Sequence, residues 1–242
     1  MLIVPYPERP DLVARLDEVE DVWPEFIHHA GLNRHWHRLR EDYPEFQLVL
    51  YDAEADRIAG RGQSLPFRWD GTWDDLPDGV EGVFRRVFEE EEGGEPTTLS
   101  AIVAVVGPEF QGRGLSPLII SGMRDAAARH GLEALVAPVR PTLKARYPLT
   151  PIERYLAWRR SDGQLFDPWL RVHERLGAEV LGICPGSLVV EGTLAEWEEW
   201  TGMAFPETGA YVLEGALVPI EVDIESDRGR YVEPNVWMRH PV

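Results

Sequence analysis

The chain has 242 residues, 24 Lys+Arg against 42 Asp+Glu and one cysteine, for a formal charge of -18. That charge opposes approach to nucleic acid, and Cys184 alone excludes an internal disulfide framework or a cysteine-built metal site. No apolar run approaches the roughly 18 residues that span a bilayer, and the opening MLIVPYPERPDL is too quickly acidic for a signal peptide, so a soluble cytoplasmic protein without nucleic-acid or membrane partners is expected.

Residues 10–22 place Leu12, Val13, Leu16 and Val19 at helical spacing, predicting an amphipathic helix. Asn33 is placed to cap a second helix carrying Trp36 and Leu39 and ending near Tyr43-Pro44. FQLVLYD (46–52) reads as a strand, DAEAD as a turn, and 57–69 as a strand paired with the first. A short helix follows around 80–92, its acidic end Glu89–Glu92 and Gly93-Gly94 reading as a solvated helix end and turn. TTLSAIVAVV (97–106) is apolar on both faces, which suits a strand inside a sheet covered on both sides.

A glycine-rich turn, GPEFQGRGLS, leads into a helix over 115–131 with Leu118, Ile119, Gly122, Met123 and Ala126 on one face and Gly131 closing it. LEALVAPV (132–139) is a second buried strand, so 97–139 forms a parallel strand–helix–strand unit. Residues 140–167 match no single regular element, and a connection this long inside a domain predicts a lid or binding loop. Asp167 caps a helix with Pro168 at its first position and Gly177 at its end, and a strand follows. A short helix at 193–203 and strands at 210–223 and 231–240 complete the chain. No linker divides it, so one domain over 1–242 is expected, with a core of about 46–184 and a C-terminal extension over 185–242.

Charge is unevenly spread. Residues 1–95 hold 10 basic and 23 acidic side chains, 96–184 hold 11 and 8, and 185–242 hold 3 and 11. The middle third, at +3 between -13 and -8, is where an anionic ligand is tolerated, and the acidic flanks would favour a cationic acceptor. Inside it lies the turn Gln111-Gly112-Arg113-Gly114-Leu115-Ser116. A glycine-rich turn between strand and helix presents backbone N–H groups at the positive end of the helix dipole, a geometry that binds phosphate.

The spacing is neither that of a dinucleotide fold nor that of a P-loop. It resembles the Q/R-x-x-G-x-G/A signature of the GCN5-related N-acetyltransferase (GNAT) family: Gln111 and Gly114 match, and Ser116 stands where Gly or Ala is usual. The resemblance covers roughly residues 46–184. It implies an α/β (α+β) fold with a mixed, largely antiparallel sheet, a central parallel strand–helix–strand unit, helices on both faces and extended C-terminal strands. It also implies acetyl-CoA or another acyl-CoA as co-substrate, with no metal. The backbone at Val105 and Val106 would pair with the pantetheine arm and polarise the thioester carbonyl, and the amides of Gln111 to Ser116 would hold the pyrophosphate. Family members often carry a Tyr four residues before a Gly-Phe pair, which reprotonates the CoA thiolate. His173 occupies that position before Gly177-Ala178, so an imidazole would carry the proton.

The 97–106 strand offers no carboxylate as a base. His28, His29, His35 and His37 crowd the region that lies beside the acceptor site in this family, and His28 or His29 is expected to bind the acceptor. Adjacent histidines diverge on a helix and no carboxylate shares their face at ligand spacing, so no metal site is expected. In the insertion, Arg140, Lys144, Arg146, Arg154, Arg159 and Arg160 with Tyr147, Tyr155 and Trp158 could clamp an anionic or aromatic acceptor; Arg140 and Tyr147 are the candidates taken forward. Trp197, Trp200, Phe205 and Tyr211 are read as core. Pairing between late strands would support a homodimer.

The expected activity is acyl transfer from acyl-CoA to an amine on a small molecule or peptide, with His173 protonating the thiolate. Two alternatives stand beside it: decarboxylation or S-transfer of malonyl or acyl thioesters, as some GNAT-like domains perform with a carrier protein as partner, and non-catalytic acyl-CoA binding.

Overall fold

The computed structural model describes residues 1–20, 23–90 and 94–242. The end of the helix expected over 10–22 and residues 91–93 of the acidic turn expected at 89–94 lie outside the described residues. Among these residues, one sheet joins β1 (Leu2–Pro5), β2 (Leu48–Asp52), β3 (Arg57–Phe67), β4 (Thr98–Val106), β5 (Ala134–Val139), β6 (Glu179–Gly192), β7 (Gly209–Tyr211), β8 (Ile220–Asp223) and β9 (Arg228–Pro241). The order is β1-β2-β3-β4-β5-β9-β8-β7, with β6 also paired to β9.

Every pairing is antiparallel except that of β4 with β5. That parallel pairing lasts only from Thr98 opposite Ala134 to Ser100 opposite Val136. β4 keeps its hold on β3 as far as Val106 opposite Gly60, and β5 keeps its hold on β9 as far as Val139 opposite Val236. Beyond Ser100 the two central strands therefore part company, each anchored on its outer side. A gap opens in the middle of the sheet.

The helices are α1 (Pro10–Val13), α2 (Trp36–Asp42), α3 (Gly79–Phe88), α4 (Ser116–Arg129), α5 (Ile152–Leu156), α6 (Pro168–Arg175) and α7 (Leu194–Thr201). On one face α4 packs Ile119, Ile120, Met123 and Ala126 against Leu48, Leu99, Leu135 and Met238. Two glycines let it come close: a Cβ on Gly122 would stand 2.5 Å from Ile3, and one on Gly62 2.6 Å from Ile119. Leu118, expected on this buried face, is instead 40% exposed. The other face is covered by α3, α7 and the N-terminal segments, with Phe84, Trp197, Tyr231 and Trp237 buried in one cluster and Leu12, Leu16, Val49 and Val105 in another. No helix among the described residues is long and apolar enough to cross a membrane.

The N-terminal region departs from its expected regularity. Leu12, Leu16 and Val19 are buried as their spacing implied, yet the helix stops at Val13 and only a 3-10 turn, Leu16–Glu18, follows. Arg15, between them, is held by Glu18 at 2.6 Å and by the Asp56 carboxylate and carbonyl at 3.0 and 2.8 Å. Asn33 is not a cap: it lies inside a 3-10 turn, Gly31–His35, and its amide donates to the Ile27 carbonyl at 3.0 Å. The strand expected over 210–223 is divided into β7 and β8.

Candidate active site

A cavity of about 670 Å³ fills the gap between β4 and β5. Its walls are Ala101 to Val106 on one side and Ala137 to Val139 on the other. Val105 and Val106 thus border it at the point where their strand has no neighbour on the β5 side.

At one end stands the glycine-rich turn. Gly112 (φ 73°) and Gly114 (φ 69°) take left-handed backbone that side chains resist, and in front of both is open space. Among the described residues the amides of Gly112, Arg113, Gly114 and Leu115 make no hydrogen bond. The N-terminus of α4 has no side-chain cap. A row of free donors at the start of a 14-residue helix has the charge and the shape to receive a phosphate. Gln111, Gly112, Gly114, Leu115 and Ser116 line the cavity. Arg113 does not: it folds back over the Phe110 ring and donates to the Glu109 carbonyl at 2.9 Å.

His173, on α6, lines the same cavity and is 1% exposed. Asp167 caps its helix through the amides of Trp169 and Leu170, while its second oxygen takes the Leu143 amide and the Tyr155 hydroxyl. One carboxylate therefore ties the insertion to the helix that carries the histidine. The His173 Nδ1 lies 2.8 Å from Nε2 of His240, on β9. Trp169 packs edge-on against the His173 ring at 4.5 Å. The outer nitrogens, Nε2 of His173 and Nδ1 of His240, are buried without a partner among the described residues. Burial, reinforced by His240, pushes His173 down to about 3; burial, with the charge of Arg124, pushes His240 down to about 4. Both are neutral at physiological pH. The bond between them holds one proton, so one outer nitrogen carries a hydrogen and the other a lone pair.

The far end of the cavity is formed by Trp23, His28, Asn33 and Trp36 from the N-terminal segments, with Arg61, Arg140, Glu233 and Asn235. Glu233 is 2% exposed; it accepts from Arg140 Nε at 2.9 Å and from the Tyr231 hydroxyl at 2.7 Å. Arg140 also reaches the Gly215 carbonyl at 2.6 Å. Of the other acceptor-side candidates, His29 lies outside the cavity wall, stacked on Trp200 at 4.2 Å. Tyr147 also lies outside, inside a nest of Tyr155, Trp158 and Phe166. Lys144 is wholly buried, its ammonium on the carbonyls of Leu217 (2.6 Å) and Tyr147 (2.9 Å). Lys144, Ile152, Tyr155, Leu165 and Asp167 make the insertion part of the packed interior; Arg140 and Thr142 are its cavity residues. Among the described residues no group of three or more His, Cys, Asp or Glu could hold a metal ion.

Sequence reasoning missed Arg61, Glu233, Asn235 and His240. The strand 231–240 did carry one signal, polar residues at period two (Glu233, Asn235) within an otherwise apolar stretch.

No family model matches the chain. A curated relative, the arginine N-acetyltransferase avaD of Aspergillus versicolor, is 31% identical, with 97% of this chain and 91% of that protein covered. The chain belongs to the GCN5-related N-acetyltransferase family. Two solved structures share the GNAT fold. They are the loading GNATL domain of CurA from Lyngbya majuscula (TM-score 0.61, 19% identity, 99% of this chain and 96% of that one) and the GphF GNAT-like decarboxylase in complex with isobutyryl-CoA (TM-score 0.56, 18% identity, 100% and 99%). As a GNAT enzyme it is an acyltransferase.

Proposed function

We propose that this GNAT enzyme transfers an acetyl group from acetyl-CoA to the amine of a small molecule, and that arginine, the acceptor named for its 31% identical relative, is the first acceptor to try. The observation that carries the reading is the cavity between the parted strands. It joins a row of free amides at one end to His173 and a polar chamber beyond.

In this arrangement the amides of Gly112 to Ser116 hold the CoA pyrophosphate. The backbone of β4 at Val105 and Val106, which has no strand on its β5 side and whose Val106 carbonyl accepts only from the Gln111 side-chain amide there, pairs with the pantetheine arm and stabilises charge building on the thioester oxygen. The acceptor enters from the side of Trp23, His28 and Trp36. Its nitrogen attacks the carbonyl carbon, the carbon–sulfur bond breaks with its electron pair on sulfur, and the nitrogen proton must reach that sulfur. His173 does not stand protonated at neutral pH, so it carries the proton rather than supplying one. With Nδ1–H bonded to His240, its Nε2 lone pair takes the proton from nitrogen and returns it to the thiolate.

The test is acetyl transfer to arginine, measured as free CoA thiol and as acetylarginine mass, with His173→Phe beside the native protein. Loss of a proton carrier lowers kcat about 10²- to 10⁴-fold with little change in KM for acetyl-CoA. Undiminished kcat in the variant sinks the assignment. Release of carbon dioxide from malonyl-CoA, with no amine acetylated, replaces the proposed reaction by decarboxylation.

A further inference from the structure

The cavity contains one charge without an answer. Its ionisable wall consists of Arg61, Arg140, Glu233, His28 and His173. His173 is neutral, and Glu233 is matched by Arg140. Arg61 is half-buried on β3, its Nε is buried without a hydrogen-bond partner, and it has no ion pair among the described residues. This happens in a chain with 42 carboxylates, where Arg9, Arg15, Arg34, Arg38, Arg57 and Arg140 each rest against one. An arginine left over in the wall of a cavity lined by Trp23 and Trp36 is suited to an anion that the ligand brings.

The CoA phosphates are not that anion. Arg61 stands opposite Val49 and Val105, and residues opposite one another on paired strands share a face. Val49 and Val105 pack with Tyr6, Leu12 and Leu16, away from α4 and the phosphate cradle at its start. The Tyr6 hydroxyl, buried and without a partner among the described residues, lies close enough to feel the Arg61 charge. Arg61 therefore serves the acceptor side of the sheet.

We propose that Arg61 binds a carboxylate of the acceptor, so that the substrate is an amine that also carries a carboxylate, as a free amino acid does. This rests on the acetyl-transfer reading above and names the substrate class for that site. A carboxylate on a partly desolvated guanidinium makes a charge-assisted, bidentate pair, and deleting such a pair costs about 10- to 100-fold in affinity. Arg61 would be a specificity determinant, not a participant in proton transfer.

The experiment compares acceptors that differ only at the carboxyl group: arginine against argininamide and agmatine, then lysine and alanine each against its amide, for the native protein, Arg61→Gln and Arg61→Lys. The native protein should favour each acid by about 10- to 100-fold in kcat/KM. Arg61→Gln should erase that preference by raising KM for the acids, leave the amides and KM for acetyl-CoA unchanged, and keep its thermal midpoint; Arg61→Lys should restore part of the preference. Equal use of acid and amide by the native protein overturns the proposal, as does an Arg61→Gln change that falls on acetyl-CoA or on both acceptor forms alike. If no amine is acetylated, the acetyl-transfer reading fails on its own, and calorimetric titration of arginine and argininamide into the CoA-loaded protein still decides: Arg61-dependent preference for the acid supports the subsite, and its absence overturns it.

Discussion

At the residue scale the decisive pair is His173 with His240. A histidine whose folded pKa lies below its unfolded value of 6.5 costs no stability only while the unfolded chain is also unprotonated. As pH falls below about 6.5 the unfolded chain binds protons that the native pair refuses until about 4 and then about 3. Stability therefore drops through that window, by up to about 1.4 kcal/mol per pH unit for each histidine. The denaturant midpoint of the native protein should fall between pH 7 and pH 5, and the fall should be shallower in His173→Phe and His240→Phe than in the native protein. Equal slopes in all three would show that carboxylates govern the acid limb instead. His173 stood out in the sequence because it is four residues before Gly177, where the family resemblance places a Tyr, and its helix was legible from Asp167 and Pro168 before it and Gly177 after it. His240 was not: it sits 67 residues further on, and no spacing rule reports which strand will pass beneath a given helix.

At the element scale, the turn and α4 show the same difference between local and long-range information. The left-handed glycines, the uncapped helix start and the apolar strand before them are neighbours in sequence, so their patterns announced the strand, turn and helix start directly. What patterns could not announce is that β4 and β5 pair for three residues and then separate, since that depends on β3 and β9 pulling from outside. The cradle makes a prediction in which two effects have opposite signs. A carboxylate at Ser116, the first residue of α4, lies with the helix dipole and should stabilise the fold by about 0.3–1 kcal/mol. The same charge opposes the CoA pyrophosphate. Ser116→Glu should therefore melt no lower than the native protein while its KM for acetyl-CoA rises at least about tenfold, as expected when a like charge replaces a neutral group beside a bound anion. An unchanged KM would mean that the phosphates lie elsewhere.

At the scale of the whole molecule, β9 decides what the chain can be. Read linearly, residues 185–242 follow a family-like core of about 46–184 and look like an appendage. In space β9 lies between β5, β6 and β8, sends Val236, Met238 and His240 to the α4 face, and sends Tyr231, Glu233, Asn235 and Trp237 to the other. It thereby supplies the His173 partner and the Glu233 wall of the cavity at once, which is why neither could be found from the motif-bearing segment alone. A chain ending at Gly192 would strip β5 of six of its paired positions and lose Tyr231, Val236, Trp237 and Met238 from the interior. At about 2 kcal/mol for each such buried side chain, that loss rivals the roughly 5–15 kcal/mol by which a domain is stable at all. The shortened chain should show no cooperative thermal transition and should not be retained on immobilised CoA, whereas removal of Val242 alone should change neither. A 1–192 chain that melts cooperatively and binds CoA would show instead that the core folds unaided and that β9 was added to an already complete fold.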